Sequence, residues 1–291
     1  MAMNDITLTS AMRANLVSLQ ATAEQMATTQ QRLATGKKVN SALDNPASFF
    51  AAQGYTQRAG LLNGLKDNIG DGVQMIKAAN NGVTALTSLI ENLRGQLSQA
   101  RAALGEGTTS GTSLTSIATQ YNSIIQQMNN VSQVDSQYKG INFLKSDSIT
   151  VNFNEQASTS LTLSGFNAAA TSSGGLAIVG GSATATGTGA LATTQIDTTA
   201  EIQTAEDSLN TALATLRTES SKLSNNLSIL TVRQQFITDM VNTLTDGANK
   251  LVAADQNEEG ANMLMLQTRT SLGTTSLSLA SQAAQSVLRL F

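Results

Sequence analysis

The strongest constraint on the fold is an apolar residue at every seventh position in the last third of the chain. These positions hold Ile202, Leu209, Leu216, Leu223, Leu230, Ile237, Leu244 and Leu251. The companion positions of the repeat hold Leu213, Ser220, Leu227, Gln234, Val241 and Ala248. A sustained seven-residue repeat keeps one face of a helix against a partner helix, as in a coiled coil. It predicts a rod-like bundle, because helices of globular cores seldom exceed about 25 residues.

Two further segments carry helical spacing. Apolar or small residues recur at alternating steps of three and four from Leu62 to Leu104 and again from Leu114 to Val131. The chain has one proline in 291 residues, so little interrupts such helices. The sequence therefore predicts a mainly α fold, built as a long antiparallel coiled-coil helical bundle.

The period changes to two after Gly140. Ile149, Val151 and Phe153 alternate with polar residues, as do Leu161 and Leu163. This pattern predicts a small β-hairpin at about residues 140–166. Residues 167–196, rich in Gly, Ser, Thr and Ala and without charge, are predicted to be an exposed, variable connector or small insert.

The two ends of the chain resemble each other. The N-terminal heptad helix is predicted from Met12, Leu16, Leu19, Ala23, Met26, Gln30 and Leu33, and the C-terminal one from Leu272, Leu279, Ala283, Val287 and Leu290. Both are rich in Ala, Ser, Thr and Gln, so each apolar stripe is thin and each helix is marginal alone. Gly36 is predicted to end the first helix, and Asn45 followed by Pro46 to begin the next one.

Composition excludes several kinds of chemistry. Without His or Cys there is no Ser-His or Cys-His pair, no imidazole or thiolate metal site and no disulfide. No convergent acid, base or metal cluster stands out, so we expect neither an enzyme nor a cofactor. The segment 255–260 begins like a calcium loop, but its twelfth position is Leu266, which favours a helix start. A net charge of −3 argues against nucleic-acid binding.

The sequence also bears on cellular location. No stretch approaches 18 consecutive apolar residues, so we expect no membrane insertion. Residues 1–8 contain no Lys or Arg and no apolar stretch follows them, which argues against a general secretory signal. Export of such a chain therefore requires another route.

Both ends resemble a known family. Residues 33–47, LATGKKVNSALDNPA, resemble the flagellin motif written L-x-x-G-x-x-I-N-S-A-x-D-D-A-A. The segments 254–263, 267, 272–273, 278–282 and 286–291 are similar to the flagellin C-terminal helix. The resemblance covers about residues 1–145 and 197–291, and within the family it is strongest to the alphaproteobacterial members.

The resemblance implies a layout and a function. Residues 1–36 and 256–291 would form the paired terminal helices (D0), and residues 37–255 the helical rod (D1) with its hairpin and insert. The chain would be a structural subunit that self-assembles into the bacterial flagellar filament used for motility. Predicted subunit-interface residues are Leu16, Leu19, Met26, Leu33, Asn40, Asp44, Arg94, Leu272, Leu279, Val287, Leu290 and Phe291.

The resemblance also implies partners. Besides other copies of itself, the chain would meet hook–filament junction proteins, the filament cap, an export chaperone at the C-terminal helix and the type III export apparatus. It would be secreted and extracellular. Many flagellins present an Arg within an R-E-L-A-type stretch to a host innate receptor. Here Arg94 is followed by Gly95 instead of an acidic residue, which predicts weak recognition.

Other functions stay open at this stage. A hook–filament junction protein shares the terminal helices, and a cell-surface adhesin could reuse the same scaffold. An adhesin needs a recognition surface, for which residues 167–196 are featureless. A pore-forming toxin needs an apolar hairpin, and residues 149–163 are too polar and too short.

The predicted mechanism is assembly coupled to folding. Ordering roughly 70 terminal residues costs on the order of 100 kcal/mol of backbone entropy, which two thin-striped helices cannot offset. Neighbouring copies can supply further contacts, so we expect ends that are disordered in the free subunit and helical in the polymer. A repeated head-to-tail contact then builds an open helical array.

Overall fold

The computed structural model describes residues 10–105, 111–170, 175–181, 193, 194, 196 and 198–288. Helix takes up 77% of it, which confirms the mainly α class. The helices are α1 (Ser10–Thr35), α2 (Pro46–Gly105), α3 (Gly111–Asn130), a π-helical turn (Val131–Asp135), α4 (Thr199–Val252) and α5 (Gln256–Leu288). None of these helices, in the part of the chain described, is long and apolar enough to cross a membrane.

Helix ends follow the predicted signals. Gly36, directly after α1, has φ +67°, a left-handed conformation that suits glycine at a helix C-terminus. Asn45 Oδ1 accepts the N–H of Ser48 at 3.1 Å and so caps α2, which starts at the only proline. Asp255 Oδ1 likewise accepts the N–H of Asn257 at 2.9 Å, and the predicted helix start is confirmed there.

The chain divides into two compact units, and the second comprises Leu61–Met240. In this unit α2 and α4 are antiparallel. Ser220 on α4 bonds Asn80 on α2 at 3.1 Å, and Arg101 forms an ion pair with Glu206 at 2.9 Å. The residues at every seventh position of α4 from Ile202 to Ile237 are buried, as the repeat predicts, whereas the companion positions Ser220, Leu227 and Gln234 are half-buried.

A β-hairpin lies in the second unit, as predicted. Strand β1 (Ser148–Asn152) pairs antiparallel with β2 (Ser160–Ser164). Val151 and Leu163 are buried. A β-carbon placed on Gly72 of α2 would lie 3.3 Å from Val151 and 3.3 Å from Leu230 of α4, so the hairpin, α2 and α4 meet closely there.

The prediction of an exposed connector at 167–196 is wrong for part of that segment. Ala168, Ala170, Leu176 and Ile178 are buried, and Ala170 N–H donates to Asn129 Oδ1 at 2.9 Å. The short strands β3 (Gly180–Gly181) and β4 (Thr193–Thr194) pair in parallel. Small uncharged side chains can be buried beneath neighbouring helices as readily as they can lie in an exposed loop, so composition alone does not distinguish the two. Residues 171–174, 182–192 and 195 of the segment lie outside the described residues.

The first unit comprises Met1–Gly60 and Val241–Phe291. Its described part contains α1, the connector 36–45, the first turns of α2, the end of α4 and α5. Leu251, the last predicted heptad position, belongs to this unit and is 37% exposed, so the heptad core ends before it. Both chain ends and most of the predicted interface residues fall in this unit.

Candidate functional site

The two terminal helices form an antiparallel pair. Asn15 near the start of α1 bonds Ser276 near the end of α5 at 3.3 Å, and Arg32 near the end of α1 bonds Glu259 in the first turn of α5 at 3.0 Å. A β-carbon on Gly273 would lie 2.6 Å from the Leu19 side chain. Glycine at that position therefore lets the two helices approach closely.

The seam between α1 and α5 is largely polar. Thr22 and Thr29 are buried, and Thr22 donates its hydroxyl to the Ser18 carbonyl of its own helix at 2.7 Å. The buried residues of the pair are Met12, Thr22, Thr29, Glu259 and Leu266. Few apolar groups are thus removed from water, and the pair gains little hydrophobic stabilisation.

The predicted register of the α1 stripe is wrong at every second position. Leu16 is 39% exposed, and Ala23 and Gln30 are exposed as well. The buried face instead passes through Thr22 and Thr29, one residue earlier in each heptad. The helix buries its threonines, and the sequence gives weak guidance because Ala, Thr and Gln differ little in hydrophobicity.

One ion pair sits inside this polar seam. Glu259 is 6% exposed, and its Oε1 bonds Arg32, whose side chain is 31% exposed. Its Oε2 is buried with no hydrogen-bond partner in the described part of the chain. A cavity of about 490 Å³ adjoins the pair and is lined in part by Glu24, Thr28 and Asn262. The seam therefore holds a buried acceptor without a partner in the described part of the chain, and an open groove lies beside it.

The outer side of α5 carries an apolar stripe. Met265, Leu272 and Leu279 are 58%, 66% and 62% exposed, and they are seven residues apart. Residues at this spacing form one line along a helix, here about 21 Å long at 1.5 Å per residue. The line lies about 100° around the helix from Leu266, which is buried in the seam. An exposed line of large apolar side chains marks a surface that packs against another helix.

The connector between α1 and α2 is fixed to the end of α4. The N–H groups of Lys38 and Val39 donate to the Val252 carbonyl at 2.7 and 3.3 Å. Ala254 N–H donates to the Gly36 carbonyl at 3.0 Å. The connector is thus held by main-chain hydrogen bonds on both sides of Lys37.

A tight turn follows in the connector. Asp44 Oδ2 accepts the N–H of Asn40 and of Ser41, each at 2.9 Å, and the Ser41 hydroxyl at 3.2 Å. The N–H groups of Ser41 and Asn40 lower the pKa of Asp44 below its usual value of 3.8 because they stabilise the carboxylate. Leu43, inside this turn, is 94% exposed.

The predicted interface residues fall into separate groups. Leu19, Met26 and Leu33 are half-buried along the inner face of α1, whereas Leu16, Leu272 and Leu279 are exposed. Asn40 and Asp44 share the connector turn. Arg94 belongs to the second unit, where its side chain is 46% exposed and pairs with Glu91 at 3.5 Å. The side chain of Val287, and Leu290 and Phe291 entirely, lie outside the described residues.

Sequence reasoning missed several residues of this surface. Thr22, Thr29 and the pair Arg32 and Glu259 occupy the seam, and Leu43 projects from the connector. The sequence did contain one indication of the Arg32–Glu259 ion pair, because charged residues are scarce in both terminal helices. An isolated charge in such a helix needs a partner or water, and each of these two could supply the other.

This geometry defines a class of protein. Helices α1 and α5 form one pair that buries a polar seam and leaves an apolar stripe exposed on α5. In the described residues no group of three or more acidic side chains could hold a metal ion. The arrangement is that of a helical structural protein with surfaces for packing against further helices.

Comparison with known proteins identifies the family. Residues 4–148 match the bacterial flagellin N-terminal helical region. The chain is similar to flagellin FljN of Caulobacter vibrioides, with 30% identity over 291 residues covering 100% of both chains. It is 29% identical to flagellin FljK of the same organism over 293 residues, again covering 100% of both. With the flagellin of Brucella melitensis it shares 26% identity over 279 residues, or 95% of each chain.

The chain belongs to the flagellin family, as a short member of the alphaproteobacterial type. Flagellins are structural proteins that polymerise with copies of themselves, and this chain is a structural subunit of the flagellar filament. The junction protein and the adhesin are not favoured over this function.

Proposed function

We propose that this subunit builds the filament through its paired terminal helices, which complete their packing only when other copies surround them. The observation that carries this proposal is the exposed stripe Met265, Leu272 and Leu279 on a helix whose seam with α1 is polar. Burial of the stripe against a neighbouring copy removes three large apolar side chains from water. That gain is absent from the isolated chain.

The same features support disorder of the ends before assembly. The pair of α1 and α5 buries few apolar groups, and among the described residues Glu259 Oε2 of its buried ion pair has no donor. Each ordered residue costs about 1–2 kcal/mol of backbone entropy. The seam alone offsets little of that cost, so we infer that neighbouring copies supply the remainder.

We also propose the finer features that the family resemblance implies. Residues 1–36 and 256–291 act as the D0 part and residues 37–255 as the D1 part. Disordered ends suit passage through the type III export apparatus, with a chaperone holding the C-terminal helix before export. The assembled subunit is extracellular, meets the junction proteins and the filament cap, and performs no catalysis.

Arg94 is proposed to make only a minor contribution to the contacts between subunits. Its ion pair with Glu91 lies within one helix and is half-exposed, a kind of pair that contributes about 0.3–0.5 kcal/mol. With Gly95 beside it, we expect weak recognition by the innate receptor for flagellin. A reporter-cell assay with purified subunit checks this expectation, and full potency at sub-nanomolar dose would contradict it.

Seeded assembly tests the main proposal. Purified subunit is added to filament fragments, and growth is followed by light scattering and electron microscopy. The double variant Leu272→Ser and Leu279→Ser should fail to elongate seeds, because it removes two members of the stripe. The matched control is Ser271→Ala and Ser278→Ala, which changes exposed neighbours on the same helix and should elongate normally.

Deletions provide a second arm. Removal of residues 1–33 or 271–291 should abolish filament growth while leaving the circular dichroism of the second unit intact. Filament growth at the unmodified critical concentration, by either deletion or by the stripe variant, would refute the proposal. Protease-resistant ends in the free subunit would contradict the coupling of folding to assembly.

A further inference from the structure

The connector presents one apolar side chain to solvent on a fixed turn. Leu43 is 94% exposed, more than any other large apolar residue among those described. The turn is held by three hydrogen bonds to Asp44 Oδ2, and Leu43 N–H donates to Ser41 Oγ at 3.3 Å. A leucine held outward in this way is already in position to enter a pocket on another molecule, with little further entropy to lose.

A cavity that fits such a side chain lies in the same unit. Its volume is about 270 Å³, and apolar groups of Val39, Phe49, Ala52 and Val252 contribute to its wall. About 10–15 Å³ of such space holds one water, so a cavity of this volume has room for the four carbons of a leucine side chain. Because Leu43 is almost fully exposed, it does not occupy the cavity of its own chain.

The charges beside the leucine and beside the cavity are opposite. Asp44 follows Leu43, and all three of its hydrogen bonds go to Oδ2, which leaves Oδ1 without a hydrogen bond to any described residue. Lys37 lines the cavity, is exposed, and forms no ion pair within the described part of the chain. A second copy can therefore place its Leu43 side chain in the cavity while its Asp44 carboxylate lies near Lys37 at the cavity wall.

We propose that Leu43 of one copy fills the Val39–Phe49–Ala52–Val252 cavity of the next copy, with Asp44 Oδ1 accepting a hydrogen bond from Lys37 Nζ. This inference rests on the proposed function, because it names one contact between neighbouring subunits. The contact is heterologous, since the side chain and the cavity that receives it are different surfaces. Repetition of such a contact extends an open array in one direction.

Cross-linking tests the placement directly, because the chain contains no cysteine. Copies with Leu43→Cys are co-assembled with copies that carry Gln53→Cys, an exposed position on the cavity wall. A short bis-maleimide is added, and the joined peptides are identified by mass spectrometry. The control partner is Gly54→Cys, an exposed neighbour on the same helix that does not line the cavity.

The expected result is a 43–53 cross-link in filaments, several-fold stronger than the 43–54 product and absent from unassembled subunit at the same concentration. Filaments that form normally but give equal yields with both partners would overturn the contact and leave the proposed function intact. Failure of the unmodified chain to extend any seed would instead count against the proposed function.

Substitutions give an energetic readout. Leu43→Ala should raise the critical concentration for elongation by about tenfold or more, as for a central interface anchor, whereas Leu43→Met keeps an apolar side chain and should restore it. Lys37→Gln should raise the critical concentration more than Lys38→Gln, because Lys38 does not line the cavity. An unchanged critical concentration for Leu43→Ala would overturn the proposal.

Discussion

The terminal helix pair and the core of the second unit are both helical, yet they bury different residues. In the second unit Ile69, Leu86 and Ile90 of α2 are fully buried. In the terminal pair the buried positions include Thr22, Thr29 and Glu259. The second unit forms a complete hydrophobic core from residues of a single chain. The terminal pair buries only a thin seam and leaves an apolar stripe of α5 exposed to solvent.

The difference shows how one chain can divide its tasks. A core of Leu and Ile gives stability that does not depend on concentration. A polar seam leaves the terminal pair dependent on further contacts, and such contacts make its order a function of subunit concentration. Mutations should therefore act on folding in one region and on assembly in the other.

The largest expected effect separates a buried leucine from an exposed one. Leu86→Ala should lower the free energy of unfolding of the free subunit by about 3 kcal/mol, because it leaves a cavity in the core. Leu272→Ala, at a position 66% exposed, should change it by less than about 0.5 kcal/mol and affect assembly instead. Urea unfolding of both variants measures this, and equal losses would erase the comparison.

The ion pair of the seam gives the next effect. Arg32→Ala removes the ion-pair partner of a buried carboxylate, the only one it has among the described residues, and should destabilise the ordered pair by about 1–3 kcal/mol. Combining it with Glu259→Gln should recover part of the loss, because no unpaired charge then stays buried. Thermal depolymerisation of filaments made from the single and double variants measures the coupling, and an additive loss would argue against a buried pair.

A smaller effect follows from making the seam apolar. Thr22→Val with Thr29→Val should stabilise the pair by about 1 kcal/mol, since each added methyl is buried at roughly 0.8 kcal/mol or less. The Thr22 hydroxyl donates to the Ser18 carbonyl of its own helix, so replacing it with a methyl group leaves no hydrogen-bonding group of α5 without a partner. Hydrogen exchange of α1 amides in the free subunit should slow several-fold, and exchange as fast as in the unmodified chain would contradict this.

The smallest effect is on the connector turn in acid. The pKa of Asp44 is lowered by the N–H groups of Ser41 and Asn40, so its contribution is present above pH 3.8 and is lost as the pH falls through the lower folded value. NMR signals of the Asn40 and Ser41 amides should shift together in that range. Asp44→Asn should abolish the titration, and its persistence in that variant would assign it to another group.

The sequence predicted those parts of the fold where hydrophobic contrast is high. The residues at every seventh position from Ile202 to Leu244 are buried as the heptad repeat requires, and Val151 pairs with Leu161 in the predicted hairpin. In α1 the contrast is low, so the stripe through Leu16 was placed one residue from the buried threonines. The sequence around Ala168 and Ala170 shows little hydrophobic periodicity. Their burial depends on contacts with distant parts of the chain, so the sequence did not predict it.

The candidate surface was predicted only in part, for similar reasons. Leu272 and Leu279 were identified by their heptad spacing, but spacing alone does not distinguish the inner line of α5 from the outer one. Asn40 and Asp44 were identified by resemblance, whereas the exposure of Leu43 depends on a turn geometry that no periodicity encodes. Whether these residues contact other subunits stays a prediction.

The hydroxyl of the buried Thr22 has a consequence for the chain before assembly. In the helix, Thr22 donates this hydroxyl to the Ser18 carbonyl of its own helix, so the group is hydrogen-bonded without a partner on α5. In an extended chain the same hydroxyl is free to bond water. A threonine-rich terminus is therefore well hydrated while it is extended. It can pack against another helix only once it is helical itself, so the backbone conformation determines whether the surface associates.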